Sequence, residues 1–359
     1  MKKLLKIILA IIAFLAVIFA GYVIYLQMNY YRIPDHQKLA IKHNPSQELQ
    51  KNKHYTITTY NIGFGAYSAN YTFFMDKGEM KDGTKKQGYY GTARSYKEDL
   101  RNTEGAIKTI ANQHADINLF QEIDTNSTRS FHINQVKMAE KTLQGASIFA
   151  SNFHTGFLFY PLYQPHGIVH SGILTLSRYR IAKAVRRSYP VTSSFVSKYF
   201  DLDRCFSISY LPVKNGKYLV LINSHMSAYD KGGVYRKKQL NMLKKVMEKE
   251  YAKGNYVICG GDFNHALSPK LLTYFKSAQK VPDWVAVISQ KDMKNMKVVY
   301  AKNAPTARGD DIPYKKDYTY TTVIDGFIVS PNVKATAHNI DTGFKYSDHN
   351  PVKLDFVLK

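Results

Sequence analysis

The chain has 359 residues, 45% of them hydrophobic, which is enough for one large or two small cores beyond an N-terminal segment. Its 50 basic and 27 acidic residues give a formal charge of +23. That charge favours a polyanionic environment such as nucleic acid, anionic lipid headgroups or a wall polymer, although dispersed lysines can equally do no more than solvate the surface. Two cysteines, Cys205 and Cys259, exclude a disulfide framework and a four-thiolate zinc site.

Residues 1–31 predict a membrane anchor. No charged residue lies between Lys6 and Arg32, and the apolar run from about Leu4 to Leu26 reaches the roughly 20 residues that a helix needs to cross a bilayer. Three lysines precede this run, which predicts a cytoplasmic tip and an extracytoplasmic body. A signal peptide cut near Ala20 is the alternative; the apolar run continues past that position, which favours an uncleaved anchor. Both interpretations place the body outside the cytoplasm.

Residues 32–53 are polar, contain two prolines and show no apolar period, so they predict a juxtamembrane linker. From residue 54 to residue 359, strand-like runs recur, among them "HYTITTYNIGF", "ADINLFQEID", "KYLVLINSHMS" and "NYVICGGDFN". Two amphipathic helical patterns lie between them. This mixture predicts a layered α/β domain of the α+β type. Residues 67–94, rich in lysine, glycine and aromatic residues, predict a surface loop inserted in that domain.

Polar residues recur where these strands end. They are Asn61, Glu122, His225, Asp262, Asn264, Asp325, Asp348 and His349. Each of them alone is more often a turn or cap residue than a functional one. Carboxylates, amides and histidines that recur at strand ends can instead be gathered into one pocket by one sheet edge.

This inventory favours phosphoester chemistry. Carboxylate oxygens suit Mg²⁺, with Mn²⁺ or Ca²⁺ as alternatives, and the chain lacks Cys/His spacing for structural zinc. A hard cation with open positions acts as a Lewis acid on phosphorus, and histidines supply protons or positive charge. Acyl transfer fits less well because the chain has no G-x-S-x-G elbow and no reactive-cysteine context.

The motifs "TTYNIG", "FQEID", "SGILTLSRY", "INSHMS", "GGDFN", "IDGF" and "SDHNPV", in this order, resemble the endonuclease/exonuclease/phosphatase superfamily. The resemblance runs from about Tyr55 to Leu358. It implies a four-layer α/β/β/α sandwich of two mixed sheets, preceded here by one transmembrane helix, with the active site at one edge. It also implies a divalent metal, with Mg²⁺ as the first choice, and a phosphoester substrate.

The resemblance assigns roles to individual residues. Its metal-site positions are Glu122 as ligand, Asn61 as a neighbour that positions metal or phosphate, and Asp348 beside the metal. Its catalytic positions are Asp262 as base for the attacking water, Asn264 as phosphate contact, His225 as donor to phosphate, and His349 oriented by Asp325. Further candidates for a substrate contact are Asn152, His170 and Arg204, each with a structural alternative as a loop, core or salt-bridge residue. His265 matches no family position and is expected at the surface.

The sequence also departs from this pattern. Some nucleases of the superfamily carry an aspartate where this chain has Gly63, which favours a single-metal site. We therefore predict an extracytoplasmic, membrane-anchored phosphoester hydrolase, most simply a phosphodiesterase or endonuclease. The alternatives are a sphingomyelinase-like or phospholipase C-like enzyme, an inositol-phosphate phosphatase, and a non-catalytic module that binds polyanions. A lipid substrate calls for an exposed apolar hairpin beside the site; the one stretch of that kind, "FLFYPLY" at residues 157–163, is expected to be buried core. No protein partner is inferred.

Overall fold

The structure is a computed structural model that describes residues 1–228 and 233–359. Its helices are α1 (Lys2–Asn29), α2 (Tyr96–Ala111), α3 (Gln135–Leu143) and α4 (Val234–Ala252). Its strands are β1 (Gln37–Lys38), β2 (His54–Asn61), β3 (Lys77–Glu79), β4 (Lys85–Gln87), β5 (Ile117–Asp124), β6 (Ala146–Leu158), β7 (Gly167–Ser177), β8 (Lys183–Ser188), β9 (Cys205–Pro212), β10 (Tyr218–His225), β11 (Tyr256–Asp262), β12 (His265–Ala266), β13 (Ala286–Val287), β14 (Lys297–Val299), β15 (Ala307–Arg308), β16 (Thr321–Thr322), β17 (Asp325–Val329), β18 (Val333–Asn339) and β19 (Val352–Leu358).

Two large mixed sheets dominate the body. One has the strand order β18-β19-β2-β5-β7-β6, and the other has the order β1-β8-β9-β10-β11-β17-β14. The pairs β2–β5 and β10–β11 are parallel, while the other pairings in these sheets are antiparallel. The parallel pairs run side by side at the centre of each sheet, so their carboxyl ends meet at one edge of the molecule.

The strands are apolar on both faces because both faces are covered. Side chains such as Ile57, Leu119 and Leu221 pack between the two sheets. The outer face of the six-stranded sheet packs against α2 and α3, for example through Phe120 and Ile107. The outer face of the seven-stranded sheet packs against α4 and the connections after β11. The predicted four-layer sandwich is therefore confirmed.

The N-terminal helix α1 is long and apolar enough to cross a membrane, judged by length and composition. Residues 1–21 are exposed to solvent, whereas Leu26, near its end, packs against β6 and β7. The segment that follows, residues 32–53, lies along the sandwich. Its strand β1 pairs with β8, and Leu49 is fully buried in the core between the sheets.

Residues 67–94 combine a buried half with an exposed hairpin. Tyr67 and Tyr71 lie in a buried aromatic cluster with Phe64, and Phe73 N donates to Asp310 O at 2.9 Å. The lysine-rich strands β3 and β4 face solvent. The prediction of a surface loop thus describes the hairpin but not the aromatic residues, which anchor the insertion to the sandwich.

The β6–β7 hairpin departs from expectation. In "FLFYPLY", Leu158 is buried, but Phe159 is 50% exposed and Leu162 is 83% exposed. The prediction that this stretch is buried core was therefore wrong, because the strands end before the hairpin tip and the surrounding elements leave half or more of Phe159 and Leu162 exposed. Cys205 and Cys259 are both buried and free, so no disulfide joins them.

Candidate active site

The candidate site lies at the edge where the central parallel strands of both sheets end. The six-stranded sheet contributes Asn61 at the end of β2 and Glu122 near the end of β5. The seven-stranded sheet contributes His225 and Asp262, the last residues of β10 and β11, which pair in register. The halves meet directly: Asn61 Nδ2 donates to Asp262 Oδ2 at 3.0 Å.

A β-bulge turns Glu122 into this edge. In a regular strand Glu122 would share a face with Phe120, whose ring packs against the helices. The register of β5 with β7 shifts between Phe120 and Ile123, and Glu122 adopts a φ of 50°, rare for a residue other than glycine. Its carboxylate therefore leaves the helix layer and faces the site, where Asn61 Nδ2 lies 3.2 Å from Glu122 Oε1.

The bulge is supported from the opposite sheet by Asn223 of β10. Its Nδ2 donates to Phe120 O at 3.2 Å and Leu174 O at 3.0 Å, and its Oδ1 accepts from Gln121 Nε2 at 2.7 Å. Asn223 and Gln121 are fully buried. This amide pair joins the two sheets directly beneath Glu122, so it holds the two halves of the site in register.

Asp262 is fixed by amides on both carboxylate oxygens. Its Oδ1 accepts from Asn264 N at 2.8 Å, and its Oδ2 accepts from Asn61 Nδ2 and from Asn264 Nδ2 at 3.3 Å. Asn264 reaches this position with a φ of 49°, and its own Nδ2 also donates to Met226 O at 2.8 Å. Burial raises the pKa of Asp262 to about 6, with His349 opposing and Asp325 adding to the shift. A carboxylate with that pKa suits a general base near neutral pH.

His349 and Asp325 form a buried ion pair. His349 Nδ1 lies 2.8 Å from Asp325 Oδ2, which leaves Nε2 facing Asp262 Oδ2 and Asp348 Oδ2, each 3.8 Å away. Burial lowers the pKa of His349, but the three surrounding carboxylates outweigh burial and raise that pKa well above its ordinary value. The imidazolium therefore presents one N–H to the site, while Thr306 Oγ1 accepts from Asp325 N at 3.1 Å and fixes the aspartate.

His225 is neutral, in contrast to the cationic His349. Arg204 Nη1 lies 2.6 Å from His225 Nε2, and a guanidinium only donates, so Nε2 must accept and the proton must sit on Nδ1. Burial and then Arg204 hold the pKa of His225 well below its ordinary value. The Nδ1–H group faces the Asn152 amide at 3.4 Å, and Asn152 Oδ1 is a buried acceptor without a partner. Turning that amide by 180° satisfies both groups.

Arg204 is therefore the hydrogen-bond donor beside His225. Burial, with Asp348 adding to it, raises the pKa of Glu122, and the positive charges of Arg129 and Arg204 oppose that rise. Arg204 Nε is buried without a hydrogen-bond partner. Because a buried N–H without an acceptor is costly, Arg204 is poised to bind an anionic oxygen.

The donor set fits a hard divalent cation. Glu122, Asp262 and Asp348 bring three carboxylates together beside the Asn61 amide, which is an excess of negative charge in a buried place. Asp262, Asp325 and His349 also offer one ligand atom each within 4.8 Å of one another. Since His349 Nδ1 is already paired with Asp325, Glu122 and its neighbours are the residues that could hold such a cation without breaking that pair.

The surroundings of Gly63 account for the absence of a second carboxylate at this position. Its φ is +50°, and a Cβ built there would lie 2.4 Å from Tyr67 Cδ2 and 3.0 Å from Asp348 Oδ1. The space that a side chain at residue 63 would need is already filled by Tyr67 and Asp348.

The structure gathers ten of the eleven predicted site residues at this edge and leaves His170 outside. The ten are Asn61, Glu122, Asn152, Arg204, His225, Asp262, Asn264, Asp325, Asp348 and His349. His170 is exposed on β7, opposite His154 of β6. His265, expected at the surface, is buried with Nδ1 at 2.5 Å from Phe263 O.

Sequence reasoning missed the residues that support the site. Ser347 Oγ donates to Asn61 O at 2.8 Å and accepts from His349 N at 3.2 Å, so it ties two site segments together. Its position in "SDHN" was a signal for this role. Asn223 likewise stands in the motif "INSHMS", whereas Thr306 lies outside every motif and carried no comparable signal.

The structure is a mixed α/β sandwich, and carboxylates, amides and histidines meet at one edge of its sheets. This arrangement is typical of the class of metal-dependent phosphoesterases. The chain belongs to the endonuclease/exonuclease/phosphatase family, whose model matches residues 58–349. Members of this family are hydrolases that act on phosphoesters, and dependence on a divalent metal is general among them.

Solved structures with the same fold are distant in sequence. An endonuclease/exonuclease/phosphatase from Beutenbergia cavernae is 12% identical, with a TM-score of 0.53 over 86% of this chain and 72% of that one. TDP2 from C. elegans is 14% identical, with a TM-score of 0.52 over 86% and 76%. D. rerio TDP2 complexed with single strand DNA product is 15% identical, with a TM-score of 0.50 over 85% and 99%. No protein of curated function matches the sequence.

Proposed function

We propose that this protein is a divalent-metal-dependent phosphodiesterase anchored in a membrane, with its catalytic body on the extracytoplasmic side. The observation that carries the proposal is Asp262, whose Oδ2 lies between His225 Nε2 at 3.6 Å and His349 Nε2 at 3.8 Å. This carboxylate is positioned by amides, faces a buried acidic cluster and has a pKa of about 6. Such a group accepts a proton from an attacking water.

The remaining site residues have separate roles around the phosphorus atom of the substrate. Glu122, with Asn61 and Asp348 beside it, would hold Mg²⁺ or Mn²⁺, which supplies Lewis acidity and stabilises the leaving oxygen. His349, held cationic by Asp325, presents an N–H to the developing negative charge. Arg204 orients the non-bridging oxygens, while Asn264, whose Nδ2 donates to Met226 O and Asp262 Oδ2, holds the base in place and not the phosphate. His225 orients Arg204 through its unprotonated Nε2.

Two substrate classes remain candidates, and each is favoured by its own observation. The charge of +23, and a fold neighbour described with a single-stranded DNA product, favour nucleic acid. The exposed apolar hairpin at residues 157–163 favours a phospholipid headgroup. The hairpin makes the lipid candidate stronger than the sequence indicated.

The test is hydrolysis of bis-nitrophenyl phosphate by the purified full chain in detergent, with Mg²⁺ or Mn²⁺ and after chelation. We expect metal-dependent turnover that falls by about 10²-fold or more in Asp262→Asn and in His349→Ala. Asn295→Ala, at an exposed position, is the matched control and is expected to retain full turnover. Turnover that persists without metal, or in both site variants, would falsify the proposal.

Plasmid DNA, RNA, sphingomyelin and soluble phosphoinositols, assayed side by side, separate the substrate candidates. A non-catalytic polyanion-binding module would bind DNA without hydrolysing any of these compounds. The site variants, which change charge only locally, would then leave DNA affinity unchanged.

A further inference from the structure

The β6–β7 hairpin lies at the same edge of the molecule as the active site. Strand β7 is antiparallel to β5, and β6 is antiparallel to β7, so β6 runs in the same direction as β5. β6 therefore ends, and β7 begins, at the edge where Glu122 lies. The loop before β9 lies there too, because Cys205 at the start of β9 pairs with His225.

The end of α1 packs against this hairpin. Tyr22 Oη donates to Phe157 O at 3.1 Å and accepts from Phe159 N at 3.1 Å, while Tyr25 Oη accepts from Phe157 N at 2.9 Å. The rings of Tyr22 and Phe159 meet edge to face at 5.3 Å. The apolar helix thus leaves the body beside the active-site edge.

The loop before β9 contacts the same turns of α1. Lys198 Nζ and Tyr199 Oη donate to Gln27 Oε1 at 2.8 and 2.7 Å. Phe200 of this loop contacts Tyr160 of the hairpin at 6.3 Å between ring centroids. Helix, hairpin and loop therefore form one continuous surface.

Exposed apolar side chains cover that surface. We name it the aromatic rim and define it as Phe159, Tyr160, Leu162, Phe195, Val196 and Phe200. The two segments that carry it, residues 157–165 and 189–200, contain one charged residue, Lys198. In a chain of this net charge, an exposed surface with so little charge is unusual, and large exposed apolar patches mark interaction sites.

The position of the rim along α1 matches the boundary of a bilayer. Of the apolar run from about Leu4 to Leu26, the part that the body leaves exposed throughout, Leu4 to Gly21, is about 27 Å long at 1.5 Å per residue, close to the hydrocarbon thickness of about 30 Å. The hairpin contacts α1 at Tyr22 and Tyr25, directly after that stretch. Residues at this level lie where a membrane meets water, which is where aromatic side chains are enriched in membrane proteins.

We propose that the aromatic rim is a second membrane contact, which enters the headgroup region of the bilayer that α1 spans and keeps the active-site edge facing that bilayer. The inference rests on the proposed anchoring by α1 and deepens it. The site is reached from the bilayer along β6, where Asn152 and Leu158 are separated by about 20 Å at 3.3 Å per residue. Lys198, within 5 Å of the Tyr30, Phe195 and Tyr199 ring centroids, supplies a positive charge for lipid phosphates.

The test uses the full chain in phosphatidylcholine–phosphatidylglycerol vesicles, with an environment-sensitive fluorophore on one introduced cysteine. Both native cysteines are fully buried, so the label goes to the new position. The test variants are Leu162→Cys and Val196→Cys. The matched control is Tyr218→Cys, exposed at the start of β10 and thus at the opposite edge of the sheet.

We expect the probes at 162 and 196 to be quenched by lipids that carry a nitroxide near the headgroup, and to be severalfold less sensitive to aqueous iodide than the probe at 218. Vesicle flotation is measured on the same samples. If the chain floats but the three probes respond alike, the rim contact is refuted and the anchor stands. If the chain does not float, both are refuted, while turnover of the soluble diester still reports on the proposed chemistry.

Discussion

Replacing Asn223 with alanine is expected to destabilise the sandwich at the point where its two sheets carry the active site. The side chain is fully buried, joins β10 to the bulge in β5 through bonds of 2.7 and 3.2 Å, and joins β10 to Leu174 O of β7 through a bond of 3.0 Å. Alanine removes all three bonds at once. Gln121 keeps a second partner, because its Nε2 also lies 3.1 Å from Thr59 Oγ1.

The size of the effect follows from those three bonds. A buried hydrogen bond contributes a net of about 0.5–1.5 kcal/mol, so the free energy of unfolding should fall by about 1.5–4.5 kcal/mol. For a body of this size, 1 kcal/mol corresponds to a shift in the thermal midpoint of about 2 °C, so we expect a decrease of roughly 3–9 °C. The affinity for divalent metal should fall as well, because the bulge directs Glu122 into the site.

The assay is thermal unfolding of the full chain in detergent, followed by near-ultraviolet circular dichroism, with metal affinity measured by titration calorimetry. Asn295→Ala serves as control, since that asparagine is exposed and makes one bond, to Glu248 at 2.7 Å. It should change stability by no more than about 0.5 kcal/mol. Equal midpoints for the two variants would show that the buried amide pair does not hold the sheets together.

Three further predictions concern charge. Asp325→Asn should lower kcat by about 10²–10⁴-fold with little change in KM, because His349 loses the partner that fixes its charge and orientation; an unchanged kcat would contradict this. Arg204→Ala should raise KM for a phosphodiester by about 10- to 100-fold, since a charge-assisted bond of about 1.5–3 kcal/mol is lost; a pure loss of kcat would contradict substrate binding by Arg204. Burial, with Asp124 adding to it, raises the pKa of Asp99 to about 8. The stability that protonated Asp99 contributes is complete below about pH 4 and is lost as the pH rises through about 8. The thermal midpoint of the unmodified protein should therefore fall relative to that of Asp99→Asn between about pH 4 and pH 8, and the two midpoints should coincide below pH 4. A constant difference between the two midpoints over this range would refute the raised pKa.

Much of the fold and most of the site were predictable because the motifs stand at strand ends. A strand that ends in Asp262 and another that ends in His225 point to one edge as soon as they are placed side by side in a sheet. The charges of the histidines were not predictable. The resemblance implied that Asp325 orients His349, but it gave His225 as a donor to phosphate, and that role was wrong, because Arg204 donates to His225 Nε2 through a contact that only folding creates.

The errors have physical reasons as well. An apolar stretch such as "FLFYPLY" is expected to be buried, but its composition cannot tell whether other parts of the fold cover it. His265 was assigned to the surface because it matches no position of the family pattern, yet the chain pairs it with β13 and buries it. The role of Asn223 was invisible because its partners, Phe120 and Leu174, are about 100 and 49 residues away.

Gly63 has a consequence for the evolution of this enzyme. Replacing Gly63 with an aspartate is one substitution in the sequence, but it is not one step in structure. A side chain at residue 63 needs the volume that the Tyr67 ring now fills, and it would have to adopt the left-handed φ of +50° that glycine adopts without cost. Tyr67 in turn belongs to the buried aromatic cluster that anchors the insertion. A second carboxylate can therefore be acquired only together with a rebuilt insertion. The number of metal ions that the site can hold and the structure of the insertion at residues 67–94 must then change together.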